Sequence, residues 1–252
     1  NNAGILNDDW MQNGFGDGMY WQADPRDARY TYGSSNDGSY HRYDAFTGDM
    51  LDISPVAPAG EEYRFDWTSP SLLSRHDPDV FIVAGNRVFI SRDRGGSWER
   101  TEDLSRRIDR DDLEIMGVLG RNTTISRNDG TGSYGEATTL AESPLDPAVL
   151  WVGFDDGNVQ VTRDGGRTWT EVSRNVRGIR DGTYVSRVAA SANFSSASSC
   201  VILLSFSSVS RFCCVSMYWL APSMTGKSAL ARNDLADPSR SLRLSSKSSY
   251  AS

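Results

Sequence analysis

Residues 91–98 read SRDRGGSW and residues 162–169 read TRDGGRTW. Both fit one pattern: Ser or Thr, any residue, Asp, any residue, Gly, any residue, Ser or Thr, Trp. A chain that writes the same turn twice is a repeat protein until shown otherwise. The glycines (Gly95 and Gly96, Gly165 and Gly166) supply the left-handed backbone positions of a tight turn. The Asp93 and Asp164 carboxylates and the Ser91 and Thr162 hydroxyls are spaced to accept turn N–H groups. Trp98 and Trp169 are expected to fold back as apolar plugs beneath the turn. Two copies in similar surroundings cannot both be one unique acid, so both aspartates read as braces.

Working outward, each motif closes a longer unit. Ser74–Arg100 and Ala141–Val172 each run from an Asp-Pro turn (Asp77-Pro78, Asp146-Pro147) through a β-branched strand and a turn (Gly85-Asn86, Asp156-Gly157). A second strand follows, and then the motif. These are β-hairpin signals. A weaker copy lies upstream, with Asp24-Pro25, strand 30–33, turn Asn36-Asp37-Gly38 and strand 39–43. The spacing is on the order of fifty residues, the size of a four-stranded blade. The expectation is an all-β, incomplete propeller of about three blades (14–60, 61–135, 136–178), with a fourth beginning at 179–191.

The totals narrow the function. The 252 residues carry 26 Lys+Arg against 33 Asp+Glu, a net charge of −7, which argues against a nucleic-acid partner. The opening NNAGILNDDW has no initiator Met and no signal-like run, so the chain is expected to begin inside a longer protein or after a removed leader. Only two histidines occur, His41 and His76, without ligand spacing; no metal and no cofactor are expected. Beyond residue 192 the turn signals stop, serine dominates, and all three cysteines appear. The 192–252 segment is read as out-of-frame or disordered, with no membrane span, because its serines and Arg211 oppose one.

On the motifs, the Asp-Pro turns and the stretches RFDWTSP (64–70), IMGVLGRNTTISRNDG (115–130) and AESPLDPAVLWVGFDDGNVQVTRDGGRTW (141–169), the chain resembles the Asp-box, or BNR-repeat, propellers. That family includes sialidases, sortilin-type receptors and bacterial BNR-repeat glycosyl hydrolases, and the bacterial, sortilin-like group is the best fit. The resemblance implies that Ser91, Asp93, Gly95, Trp98, Thr162, Asp164, Gly166 and Trp169 are structural and lie away from the substrate face. It implies a scaffold binding a protein or carbohydrate ligand, completed by the remaining blades of a parent propeller, and favours an extracytoplasmic home. The alternative it implies is a glycoside hydrolase, sialidase- or xyloglucanase-like, with an active site shared with other blades.

For catalysis the resemblance offers little. No Arg-Ile-Pro tripeptide of the sialidases occurs. Xyloglucan hydrolases carry a catalytic Asp in an Asp-x-Gly-Gly-x-Tyr-Arg stretch; the nearest string is 36–42, which makes Asp37 the candidate base, against a plain turn Asp. The insert 103–134 opens with RRIDRDDLEIMGVL, readable as a short helix, and is either a binding loop or packing. Its candidate binding residues are Arg121, Asn128 and Asp129. Trp10, Trp21 and Trp67 are either sugar platforms or core plugs.

Overall fold

The computed structural model describes residues 4, 14, 16–115, 117–123, 133–175, 182–191, 200–204 and 213–217. Three four-stranded antiparallel sheets follow one another in chain order. The first is β1 (Met19–Ala23), β2 (Tyr30–Ser34), β3 (Tyr40–Asp44) and β4 (Met50–Asp52). The second is β5 (Ser71–Leu73), β6 (Phe81–Ala84), β7 (Val88–Ser91) and β8 (Glu99–Arg100). In the insert, β9 (Glu114–Ile115) and β10 (Val118–Leu119) form a small hairpin, preceded by a single 3-10 turn rather than a helix. The third sheet is β11 (Ala137–Glu142), β12 (Leu150–Phe154), β13 (Val159–Thr162) and β14 (Thr170–Glu171). A three-stranded sheet follows, β15 (Val185–Ala190), β16 (Cys200–Leu204) and β17 (Cys213–Met217).

The first strands of successive sheets lie against one another, as do β11 and β15, so the sheets are consecutive blades of an incomplete β-propeller. Their cores are the seams between blades. Seam 1 buries Tyr32, Tyr40, Ile53, Phe81, Val83 and Phe89; seam 2 buries Ile82, Val88, Ile90, Leu150, Val152 and Phe154. The period-2 alternation of each middle strand explains this. Phe81 and Val83 face back into seam 1, while Ile82 and Ala84 face forward into seam 2. Blade strands therefore read as continuous apolar runs, since both faces are covered. In seam 1 the Phe81 ring packs against Tyr32 at 5.3 Å and against Trp98 at 6.2 Å between centroids.

Backbone bonds fix how the blades correspond. Asp24 N–H donates to Tyr30 O, Ser74 to Val80 and Ser143 to Val149, each at 2.9 Å. The Asp27, Asp77 and Asp146 carboxylates each accept the N–H two residues on, at 3.0, 3.0 and 2.9 Å. Asp27, rather than Asp24 of the Asp24-Pro25 pair, is thus the partner of Asp77 and Asp146. The sequence alignment of the first copy is three residues out of step because its Pro precedes the turn that the later Pro residues sit in.

After residue 192, where the sequence suggested no blade, the described backbone pairs β15 with β16 and β16 with β17 antiparallel. The run CVILL at 200–204 is strongly β-forming in any setting.

Candidate functional site

In an antiparallel sheet taken in chain order, the β2–β3 turn lies at the same end as the loop leading into β1. Both lie opposite the β1–β2 and β3–β4 turns. This sorts the molecule into two ends. The motif turns 91–98 and 162–169, with the turns at 24–30, 77–80 and 146–149, occupy one end. The loop end holds Asn36-Asp37-Gly38, Gly85-Asn86 and Asp155-Asp156-Gly157, together with the long loops into β5 and β11.

At the motif end the carboxylates are spent inside their turns. Asp93 Oδ1 accepts from Ser91 Oγ at 2.7 Å and Ser97 N at 2.8 Å; Oδ2 accepts from Ser97 Oγ at 2.7 Å. Asp164 repeats this with Thr162 Oγ1 at 2.8 Å, Thr168 N at 2.9 Å and Thr168 Oγ1 at 2.6 Å. Hydrogen bonds from Ser97, then Ser91, hold the Asp93 carboxyl down at about 2, and those from Thr168 and Thr162 hold Asp164 lower still. The left-handed pair is Arg94 (φ 64°) and Gly95 (φ 87°) in one copy, Gly165 (φ 74°) and Gly166 (φ 97°) in the other. Gly96 is not left-handed; Arg94 is, so the position before Gly95 accepts a side chain. Trp169 folds back onto its own turn, with Nε1 on Gly166 O at 3.0 Å; Trp98 instead reaches Ile53 O of the preceding blade at 2.9 Å.

The loop end collects acid from all three blades. Asp17, exposed, accepts through Oδ2 from Trp67 Nε1 at 3.2 Å and Asn36 Nδ2 at 3.0 Å. Asp37, also exposed and left-handed at φ 54°, donates its N–H to Trp67 O at 3.4 Å. Gly38 beside it has φ 75°, and an added Cβ would fall 2.3 Å from the Phe65 ring, so glycine is required there. Trp67 is 52 % exposed, with the Asp17 carboxylate on its Nε1. Trp21, by contrast, lies flat on Gly33, where an added Cβ would meet its ring at 2.4 Å. Trp10 lies outside the described residues.

Deeper in the same face, Glu136 and Asp155 are buried. Asp155 Oδ1 accepts from Gly135 N at 3.0 Å and Glu136 N at 2.8 Å, and Ser133 Oγ donates to Glu136 Oε1. Burial first, and then the neighbouring Asp155 and Asp66 charges, push the Glu136 carboxyl up to about 7. Burial, only partly offset by the Glu136 N–H, pushes Asp155 up to about 7. Asp156 is tied to Arg106 N at 2.7 Å and Asn158 N at 2.9 Å. Arg64 pairs with Asp103 at 3.3 Å, and Arg87 with Glu61 at 3.3 Å, so neither presents a free guanidinium to a carboxylate ligand.

Of the insert residues, Arg121 is exposed and pairs with Asp112, its Nε donating to Asp111 O at 3.4 Å. Asn128 and Asp129 lie outside the described residues. Sequence reading missed Asp17, which sits in GFGDG and gains its meaning only when Trp67, 50 residues on, packs against it. Among the described residues no cluster of three or more His, Cys, Asp or Glu has metal-binding geometry, and no helix is long and apolar enough to cross a membrane.

No family model matches the chain. A curated relative, the oligoxyloglucan-reducing end-specific xyloglucanase of Emericella nidulans, is 24 % identical over 159 residues, covering 60 % of this chain and 17 % of its own length. The chain therefore spans about a sixth of that relative. Among solved structures, it is similar to YCF48 bound to D1 peptide at TM-score 0.43 and 17 % identity, covering 77 % of this chain and 50 % of that one. It is similar to the GH74 enzyme of Niastella koreensis at TM-score 0.45 and 17 % identity, covering 76 % and 27 %.

Proposed function

We propose that the loop end is a glycan-binding face and that the chain is part of a glycoside-hydrolase-like propeller of the Asp-box kind, with xyloglucan-type oligosaccharide the first ligand to test. The observation that carries this reading is the half-exposed Trp67 ring, with the exposed Asp17 carboxylate on its Nε1 and the exposed residue Asp37 bonded through its N–H to the Trp67 carbonyl. A flat indole supplies the apolar face on which a pyranose stacks, and a neighbouring carboxylate accepts from its hydroxyls. The curated xyloglucanase relative supports the same class. On this reading the motif residues Ser91, Asp93, Thr162 and Asp164 are braces, because their oxygens are committed to their own turns at the opposite end. Such polymers are met outside the cytoplasm, and an extracytoplasmic location belongs to the proposal. Residues 192–252 are assigned no part in it.

A second reading, a scaffold that binds without cleaving, is favoured by one feature. Glu136 and Asp155, the carboxyls held in the proton-bearing range a general acid needs, are buried and cannot touch a sugar. On the hydrolase reading Asp37 is the base, and the acid comes from blades beyond those described. Reducing-sugar release from xyloglucan oligosaccharides, measured on this chain joined to its remaining blades, separates the two. Turnover abolished by Asp37→Asn supports the hydrolase; binding without turnover supports the scaffold; neither binding nor turnover would sink both.

A further inference from the structure

Four aromatic side chains stand exposed among the described residues: Tyr20, Phe46, Trp67 and Tyr184. Phe46 belongs to the β3–β4 turn at the motif end, where the Arg29 guanidinium lies 5.1 Å from its ring centre. The other three belong to the loop end. Tyr20, 47 % exposed, lies near the start of β1, and Tyr184, 40 % exposed, stands one residue before β15. Trp67 is in the loop into β5. These are the first strands of their sheets, which lie against one another, so their entries converge. The Asp66 carboxylate marks the point of convergence. Its charge bears on Tyr20 of the first blade, on Glu136 and Asp155 of the third, and on Tyr184. Tyr20 bears on Tyr184 as well.

Tyr20 is held in a strained backbone. Its φ of 52° is left-handed, a conformation that a bulky side chain rarely adopts. The pairing of β1 with β2 slips between Met19 and Gln22, and such a bulge re-aims the side chains within it. Gln22 locks the arrangement. Its Nε2 donates to Tyr20 O and to Ser71 O of the second blade, each at 3.2 Å, and its Oε1 accepts from Leu73 N at 3.0 Å. The Tyr20 ring belongs to no buried seam cluster, and glycine would take the same backbone without strain. Asp66 is half-buried, and its turn bonds from Thr68 N and Thr68 Oγ1, at 2.8 Å each, both fall on Oδ1. Oδ2 takes no bond from the described residues. Acid prevails around it: Asp17, Asp37 and Asp66, with Glu136 and Asp155 behind them, stand against Arg187 and Arg64, and Arg64 is tied to Asp103.

We propose that Tyr20, Asp66 and Tyr184 form an inner subsite of the loop end, holding a second, uncharged pyranose of the oligosaccharide that sits on Trp67. The inference rests on the glycan reading of Trp67 and deepens it. The two tyrosine rings give the sugar flat apolar faces, and Asp66 Oδ2 accepts from its hydroxyls. A ring kept half-exposed on a strained backbone, between two blades that lock it, is where a ligand contact explains what packing does not. The prevailing acid repels a uronate or any other carboxylated sugar. The ligand class is therefore a neutral oligosaccharide of two or more units.

The test is titration calorimetry of a xyloglucan heptasaccharide and of a heptagalacturonate into the wild type and the Trp67→Ala, Tyr20→Gly and Tyr184→Ala variants. Tyr20→Gly removes the ring and the strain together, so a melting curve beside each titration separates lost contact from lost fold. The expected result is binding of the neutral sugar by the wild type, weakened about tenfold or more by either tyrosine variant. The galacturonate is expected to bind the wild type about tenfold or more weakly than the neutral sugar. Unchanged binding by both tyrosine variants, with binding lost in Trp67→Ala, would overturn the inner subsite and leave the Trp67 reading standing. No binding of either sugar by the wild type would remove the Trp67 reading and the subsite with it. Equal or tighter binding of the galacturonate would overturn the assignment of an uncharged sugar. Should Tyr20→Gly melt early, Tyr184→Ala, at a position exposed to solvent, decides alone.

Discussion

The Nε of Arg94, in the second blade, donates to the hydroxyl of Tyr32 in the first at 2.9 Å, and the same guanidinium reaches Asp24. This bond joins blades at a position that the repeat gives to glycine in the next copy. Tyr32 is fully buried and Arg94 partly so, which makes the pair a measurable coupling rather than a surface contact. A double-mutant cycle of Arg94→Ala and Tyr32→Phe is expected to show about 1 kcal/mol of coupling in denaturant unfolding. Simple additivity would mean that the seam is held by its apolar side chains alone.

Phe81 tests that apolar part. Its ring is fully buried among Tyr32, Tyr40 and Trp98. Phe81→Ala removes the centre of seam 1 and is expected to cost about 3–5 kcal/mol. Phe81→Leu should cost much less. Comparable losses from both would show that ring geometry, rather than filled volume, matters there.

The motif aspartates and the loop-end aspartates should separate cleanly. Asp164→Ala removes the acceptor of several turn bonds and is expected to lower the melting temperature while leaving ligand binding at the loop end intact. Asp17→Asn is expected to do the reverse, since its carboxylate is exposed beside Trp67. Thermal melts and a binding isotherm on both variants check this; loss of binding in Asp164→Ala at unchanged stability would contradict it.

Stability should depend on pH in two opposed ways. Glu136 and Asp155 are held up at about 7 by burial, above their unfolded values of about 4. Between these limits the folded chain keeps protons that the unfolded chain has released. Their contribution is therefore complete below about pH 4 and is lost as pH rises through about 7. Asp93 and Asp164 are held down, so their contribution is present above about pH 4 and is lost as pH falls toward 2. The melting temperature is thus expected to peak near pH 4–5 and to decline toward neutrality, with Glu136→Gln flattening that decline. A melting temperature that climbs steadily from pH 5 to 8 would refute the assignment.

The blades were legible in the sequence because Gly-containing turns and alternating apolar residues recur at a fixed spacing, and each is a local signal. Register was less so. Asp24-Pro25 looks like Asp77-Pro78, but the Asp24 N–H to Tyr30 O bond sets it three residues earlier in the turn. Gly96 looked like a left-handed residue, yet Arg94 takes that conformation, held by bonds to another blade. The Asp17–Trp67 contact was invisible because it exists only once two blades are packed. Sequence alone also could not show that seams 1 and 2 are closed by different groups, since that difference lies in which positions face each other.

The central claim is that Trp67, with Asp17 and Asp37 beside it, binds a glycan. Titration calorimetry of xyloglucan oligosaccharides into the protein and its Trp67→Ala variant tests it most directly. Trp67 is half-exposed, so the variant should fold with little loss of stability. The account predicts saturable binding to the wild type and none to the variant at the same concentrations. Equal binding by both proteins would contradict it.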